Sequence, residues 1–127
     1  MPVTKIDIGA DAETLILAKL RDLTVVASGA LACPVDPAVL RLLVTELAAN
    51  SIEAGAEQLH VTVEVTAPGE LHVEVTDDGH GEVVPRHPTP EDVDGRGLLI
   101  VDAMASTWGI RPHPDPGAAV WFRLLTE

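Results

Sequence analysis

The longest organised pattern of apolar and polar positions lies in residues 37–55. Leu40, Leu43, Val44, Leu47 and Ala48 recur there at spacings of three and four, which is one helical stripe made for burial. Glu46, Asn50 and Glu53 follow the same spacing on a neighbouring face, so their side chains overlie one another along successive turns. Asp36 before Pro37 supplies the start, Asp as N-cap and Pro in the first turn, and Gly55 supplies the end. Upstream, Ile6 and Ile8 alternate around Asp7 in a short strand that Gly9 is expected to break. Residues 12–31 then carry a second helical pattern with Leu15, Ala18, Val25 and Val26 among its apolar positions. Ser28 and Gly29 weaken its last turn, and Pro34 stops it.

Downstream the period changes to two. Leu59, Val61, Val63 and Val65 share one face, and Leu71, Val73 and Val75 do the same after a break at residues 67–69. Keeping both sets on one side requires Val63 opposite Val73 and a three-residue loop in which Gly69 takes a left-handed conformation. The opposite face then carries His60, Thr62, Glu64, His72, Glu74 and Thr76, with Glu64 across from His72. That pair offers too few ligands for a metal, and a solvated sheet face is expected. Pro85, Pro88 and Pro90 mark residues 82–94 as an irregular loop or lid. Beyond it Leu98, Val101, Ala105 and Trp108 fall at helical spacing, so a helix is predicted just after Gly97, ending at Gly109, with Trp108 anchored in the core. A short strand at residues 109–111, a turn, and a strand over 118–125 close the chain.

Composition narrows the picture. A chain of 127 residues is read as one domain, residues 1–127, with a sizeable core. It is 46% hydrophobic but 2% aromatic, so that core is built of Leu, Val, Ala and Ile. A net charge of -12 argues against nucleic acid or an anionic membrane as partner. It does not oppose a nucleotide held by backbone amides and a metal ion. A single cysteine, Cys33, permits no intramolecular disulfide and suits a core or loop position in a cytoplasmic protein. No secretory signal opens the chain, and no apolar run approaches the roughly 20 residues of a membrane span. His80, His87 and His113 are scattered in loop segments and read as solvated.

Three places carry candidate chemistry. Asn50 offers a neutral oxygen to a hard cation, and Glu46, one turn earlier, can accept a proton or orient a water. Asp77 ends a strand and is followed by Gly79 and Gly81, which let backbone approach a flat or charged ligand. Gly95, Arg96 and Gly97 precede a helix, whose free amides and dipole favour an anion such as phosphate, although the lysine of a P-loop is missing.

In that order and spacing, Glu46-x-x-x-Asn50, Asp77-x-Gly79-x-Gly81 and Gly95-x-Gly97 resemble the three nucleotide-binding boxes of the GHKL ATPase superfamily. The run from Gly95 to Asp102, the Trp108-Gly109 pair and the closing residues 117–122 look most like the bacterial anti-sigma-factor serine/threonine kinases. The likeness covers roughly residues 12–125. It implies a two-layer α/β sandwich, three helices covering one face of a mixed, mostly antiparallel sheet of about five strands. It also implies roles. Asn50 would hold Mg²⁺ between the phosphates of ATP, and Glu46 would be the general base. Asp77 would accept the adenine amino group, with Gly79 and Gly81 letting the base lie close. Gly95, Arg96, Gly97 and Leu98 would border the lid and bind the nucleotide, the two glycines offering amides to phosphate. The implied function is an ATP-dependent serine/threonine protein kinase whose partners are a sigma factor and an antagonist protein, with a homodimer left open. The sequence departs from the relatives at Glu53 and Ala54, where they often carry a basic or neutral residue and then a His. It departs again at Ala118-Ala119, where they often have a lysine or threonine, and in lacking an arginine pair in the first helix. Each departure removes positive charge, which keeps a second reading in play: a non-catalytic interaction module of the same fold. A sensor histidine kinase fragment is the weakest of the three, because no dimerisation helix with a phosphoacceptor is seen.

Overall fold

The computed structural model describes residues 4–11, 16–53, 55–78, 96–111 and 119–126. In chain order the elements are β1 (Lys5–Asp11), α1 (Ile16–Ala30), α2 (Pro37–Glu53), β2 (Gln58–Ala67), β3 (Glu70–Asp77), α3 (Arg96–Met104), β4 (Thr107–Arg111) and β5 (Ala119–Leu125). The strands form one sheet in the order β1-β2-β3-β5-β4, and every neighbouring pair is antiparallel. The expected sheet of about five mostly antiparallel strands is therefore present, and its described strands are antiparallel throughout, with no parallel pair among them.

The pairing of β2 with β3 follows from the alternation. Val63 opposes Val73 and Glu64 opposes His72, as keeping the valines on one face demands. The turn is tighter than three residues: a bulge between Val65 and Ala67 lets Ala67 pair with Glu70, and Gly69 turns the chain at φ 74°. Leu59, Val61, Val63, Leu71, Val73 and Val75 are all buried on the side that meets the helices. α2 is the central helix, packed against α1, α3 and β3. Its buried residues are Leu40, Leu43, Val44, Leu47 and Ala48, the full predicted stripe. The predicted cap also forms, with the Ala38 N–H donating to Asp36 Oδ1 at 2.9 Å. Phe122 and Val101 complete the core from β5 and α3, and Cys33 lies buried within it.

Several boundaries differ from expectation. β1 runs through Gly9 to Asp11, because Gly9 opposes His60 in a continuous ladder with β2. α1 is described from Ile16. α3 starts at Arg96, which puts Gly97 inside its first turn, and it stops at Met104. Trp108 and Gly109 consequently sit in β4. The helical spacing of Leu98, Val101 and Ala105 runs into Trp108 across a two-residue connection, which the sequence pattern cannot separate. Gly109 serves β4 rather than a helix end: a Cβ there would lie 2.8 Å from Trp121 Cζ2, so the indole needs the missing side chain to lie over the strand. Trp108 is half-buried against the core and donates its indole N–H to Asp102 Oδ1 at 2.8 Å.

Candidate functional site

The capped start of α2 and its buried stripe fix the rotation of the helix, and that rotation sets Glu46 and Asn50. Both are half-buried, one turn apart, beside the stripe that meets the sheet; Glu53, near the helix end, is exposed. Asp77 is the last residue of β3 and keeps the parity of Leu71, Val73 and Val75, so its carboxylate lies on the helix-facing side of the sheet. It is only 8% exposed and is the one charged side chain buried among the described residues. Burial of a carboxylate on an apolar face carries a desolvation cost, so it marks a position chosen for something other than packing. The other two buried polar side chains are hydroxyls with local roles. Thr24 donates to the Leu20 carbonyl at 2.6 Å and Ser28 to the Cys33 carbonyl at 2.7 Å.

Asp78 ties the two halves of this region together. Its Oδ1 accepts the Glu57 N–H at 2.9 Å, and its own N–H donates to the Gln58 carbonyl at 3.3 Å. The connection out of α2 is thereby fastened to the end of β3, so the C-terminal half of α2 and Asp77 occupy the same end of the sandwich. This clip has no signal in the sequence beyond a doubled aspartate. α3 packs against α2 and leads into β4. Its C-terminus joins β4 through Ala105 and Ser106, and the Ser106 N–H and hydroxyl both donate to the Arg123 carbonyl at 2.9 Å. Thr107 and Arg123 lie at the far end of the sheet, whereas Thr76, Ala119 and Arg111 lie at the Asp77 end. The first-turn amides of α3, Gly97 among them, have no partners within the helix.

Gly79, Gly81, Gly95 and Ala54 lie outside the described residues, and Arg96, Gly97 and Leu98 are described by backbone alone. Among the described residues no group of three or more His, Cys, Asp or Glu side chains could cage a metal. Asn50 and Glu46 nonetheless suit one kind of cation. Mg²⁺ prefers oxygen ligands, keeps several waters, and commonly takes one or two protein oxygens plus substrate phosphates. A carboxamide and a carboxylate on adjacent turns, both half-buried, match that donor set.

Helices on one face of an antiparallel sheet, with an acid buried at the end of β3, make a two-layer α/β sandwich. Residues 35–127 match the sequence model of the histidine kinase-, DNA gyrase B-, and HSP90-like ATPase family. The chain belongs to that family. Its fold is similar to a crystal structure of the RsbU and RsbW domains of Rv1364c from Mycobacterium tuberculosis, with a TM-score of 0.71 at 17% sequence identity. The match covers 98% of this chain and 32% of that one, so the chain spans about a third of that protein's length and shares its fold. No curated protein matches it significantly in sequence.

Proposed function

We propose that this chain is a single ATP-binding regulatory domain, and that the end of the sandwich holding Asp77 is its nucleotide site. The observation that carries the reading is Asp77 itself: a carboxylate 8% exposed, on the core-facing side, at the end of the sheet to which the exit of α2 is fastened. There Asp77 would accept the exocyclic amino group of adenine, with Gly79 and Gly81 beside it. Asn50 would hold Mg²⁺, and Gly95, Arg96, Gly97 and Leu98 would line the phosphate end. Bound Mg²⁺ would supply charge neutralisation on the phosphates. Glu46 would take the proton from an incoming hydroxyl, its position one turn before Asn50 putting it next to the phosphates. The partner class, a sigma factor together with a serine- or threonine-bearing antagonist, rests on the resemblance of the three boxes, and it places the protein in the cytoplasm. Among the described residues, no helix is long and apolar enough to cross a membrane.

A non-catalytic module is the second reading. It is favoured by the exposed Glu53 at the C-terminal end of α2 and by a chain charge of -12, both of which oppose a polyanion. Calorimetric titration with ATP, with and without Mg²⁺, separates the two. On the leading reading ATP binds with Mg²⁺, and Asn50→Ala removes the Mg²⁺-dependent part while the circular dichroism spectrum stays unchanged. Equal affinity of wild type and variant at saturating Mg²⁺ removes Asn50 from the site. Absence of any binding by wild type hands the case to the module.

A further inference from the structure

At the end of the sandwich away from Asp77, the ends of three elements leave an open apolar groove between them. Val35 and Val39 come from the start of α2, Met104 from the end of α3, and Leu124 and Leu125 from the end of β5. Leu124 pairs with Leu71 near the start of β3, so Asp77 lies about 20 Å away at the usual strand rise. The groove holds about 300 Å³, the lower end of the range for sites that take a ligand. Val35 and Leu124 are buried beneath it, whereas Met104 and Leu125 are 42% and 58% exposed at its rim. Its charge has one sign. Asp36 is the charged residue of the lining, and no Lys, Arg or His lines it among the described residues. Asp36 Oδ1 accepts the Ala38 N–H at the positive end of α2. The end of α3 supplies the opposite pole, since its last carbonyls carry a partial negative charge. The last turn of α3 holds Asp102 and no basic residue to compensate. Nearby cations are engaged elsewhere. Arg123, whose carbonyl accepts from Ser106, places its guanidinium over Trp121 on the open face of the sheet, and Arg41 lies 3.6 Å from Asp22.

From these features we infer that the groove docks a partner protein, and that its occupant is a basic amphipathic helix. Apolar side chains at helical spacing enter the groove, as in other helix-in-groove contacts. A Lys or Arg on a neighbouring turn reaches Asp36 and the negative end of α3. The sign of the charge selects this occupant over others. A second copy brings its own net charge of -12 and, across a twofold axis, a second Asp36, so its approach is opposed. An acidic segment meets the same repulsion, and a neutral one leaves Asp36 and the α3 pole without a counter-charge. The groove is separate from the proposed nucleotide site, so the inference does not rest on ATP binding.

The probe is a pair of short synthetic helical peptides with the same Leu and Met stripe, one carrying Lys and Arg on its polar face and the other Glu. Each is titrated into the ¹⁵N-labelled full chain without nucleotide, and amide shifts are followed by NMR. The basic peptide should move amides at the start of α2, the end of α3 and the end of β5, and the acidic peptide should move none. Asp36→Ser keeps a capping side chain and should weaken the basic peptide several-fold at low salt and less at high salt. Met104→Gln combined with Leu125→Gln changes no charge and alters only exposed side chains, so the fold should persist by circular dichroism. It should weaken the same peptide by about tenfold, through lost apolar burial. The two variants together separate the groove from a general attraction of cations to an acidic chain. A basic peptide that does not bind overturns the proposal. So do shifts spread over the surface and unchanged in both variants, or equal binding of the acidic peptide. Shifts at the same three places on raising the chain concentration alone would assign the groove to a second copy and overturn it as well.

Discussion

His72 shows how much of this molecule is decided between single side chains. Burial pushes its imidazole below the ordinary value of 6.5, and the neighbouring Arg123 guanidinium adds to the effect. The contact is directional as well, since Arg123 donates to Nδ1, which must then stay unprotonated. The folded form therefore resists the proton that the unfolded chain takes up near 6.5. Its contribution to stability is complete above that pH and is lost as pH falls toward the lower folded value. Asp7 acts in the same direction in a more acid window. The Thr62 hydroxyl and then His60 hold its carboxyl below 3.8, so its contribution fades as pH drops below that value. Urea unfolding at pH 7.5 and 5.5 should show a drop in stability for wild type that is smaller in His72→Gln. Equal drops would remove His72 as the cause. At the other end of the sheet, Glu46 and Asp77 should fail differently. Asp77→Asn loses an acceptor in a desolvated position, which costs about 1–3 kcal/mol, or roughly five- to 150-fold in ATP affinity. On the proposed kinase reading, Glu46→Ala should leave ATP affinity nearly unchanged while transfer to an antagonist falls about a hundredfold, as loss of a general base would. Titration and phosphoserine mass spectrometry read the two effects separately.

At the level of elements, α1 and α2 end in the same way with different residues. The Cys33 N–H returns to the Ser28 carbonyl at 3.1 Å, and the Ala56 N–H returns to the Ser51 carbonyl at 3.0 Å. Each closure needs one left-handed residue, which is Gly55 at φ 95° after α2 but Ala32 at φ 55° after α1. A side chain in that conformation costs about 1–2 kcal/mol, and glycine's larger unfolded-state entropy offsets part of any gain from replacing it. Ala32 is exposed, so Ala32→Gly loses no packing; it should stabilise the protein by about 0.5–1 kcal/mol and raise Tm by about 2–4 °C. A lower Tm would show that the Ala32 methyl group contributes a contact. What the sequence revealed and what it hid divide along this same line. α2, its cap, its stripe and the Val63–Val73 register were legible because each rests on spacings within a few residues or on one hairpin. Long-range contacts were not. Gly9 is held in β1 by pairing with β2, and Gly109 is a strand residue because of Trp121, which is distant in sequence. At the proposed site, the choice of Glu46, Asn50 and Asp77 rests on residue type and spacing. The approach of the α2 exit to the end of β3 depends on the Asp78 clip, and no local pattern records it.

On the scale of the whole molecule, charge sets the terms on which any ligand arrives. At -12 the chain repels MgATP, which is itself anionic, and the exposed Glu53 near the end of α2 adds to that repulsion close to the proposed phosphate end. Contacts within the site act over a few ångströms and change little with salt, whereas the net field is screened. The Debye length falls from about 30 Å at 0.01 M to about 8 Å at 0.15 M. ATP association should therefore speed up as NaCl is raised at fixed free Mg²⁺, the reverse of a site that steers its anion in. Dissociation should change less, because it depends on the short-range contacts. Glu53→Lys should accelerate association most at low salt and tighten binding several-fold there, since an exposed charge pair is worth about 0.2–1 kcal/mol and its effect shrinks in salt. Stopped-flow measurement with a fluorescent ATP analogue reads both rates. An association rate that falls with salt in wild type would mean that local positive charge overrides the net field, with Arg96 at the start of α3 the first residue to substitute. A rate that ignores both salt and Glu53→Lys would mean that entry is limited by a conformational step and that long-range charge does not govern this site.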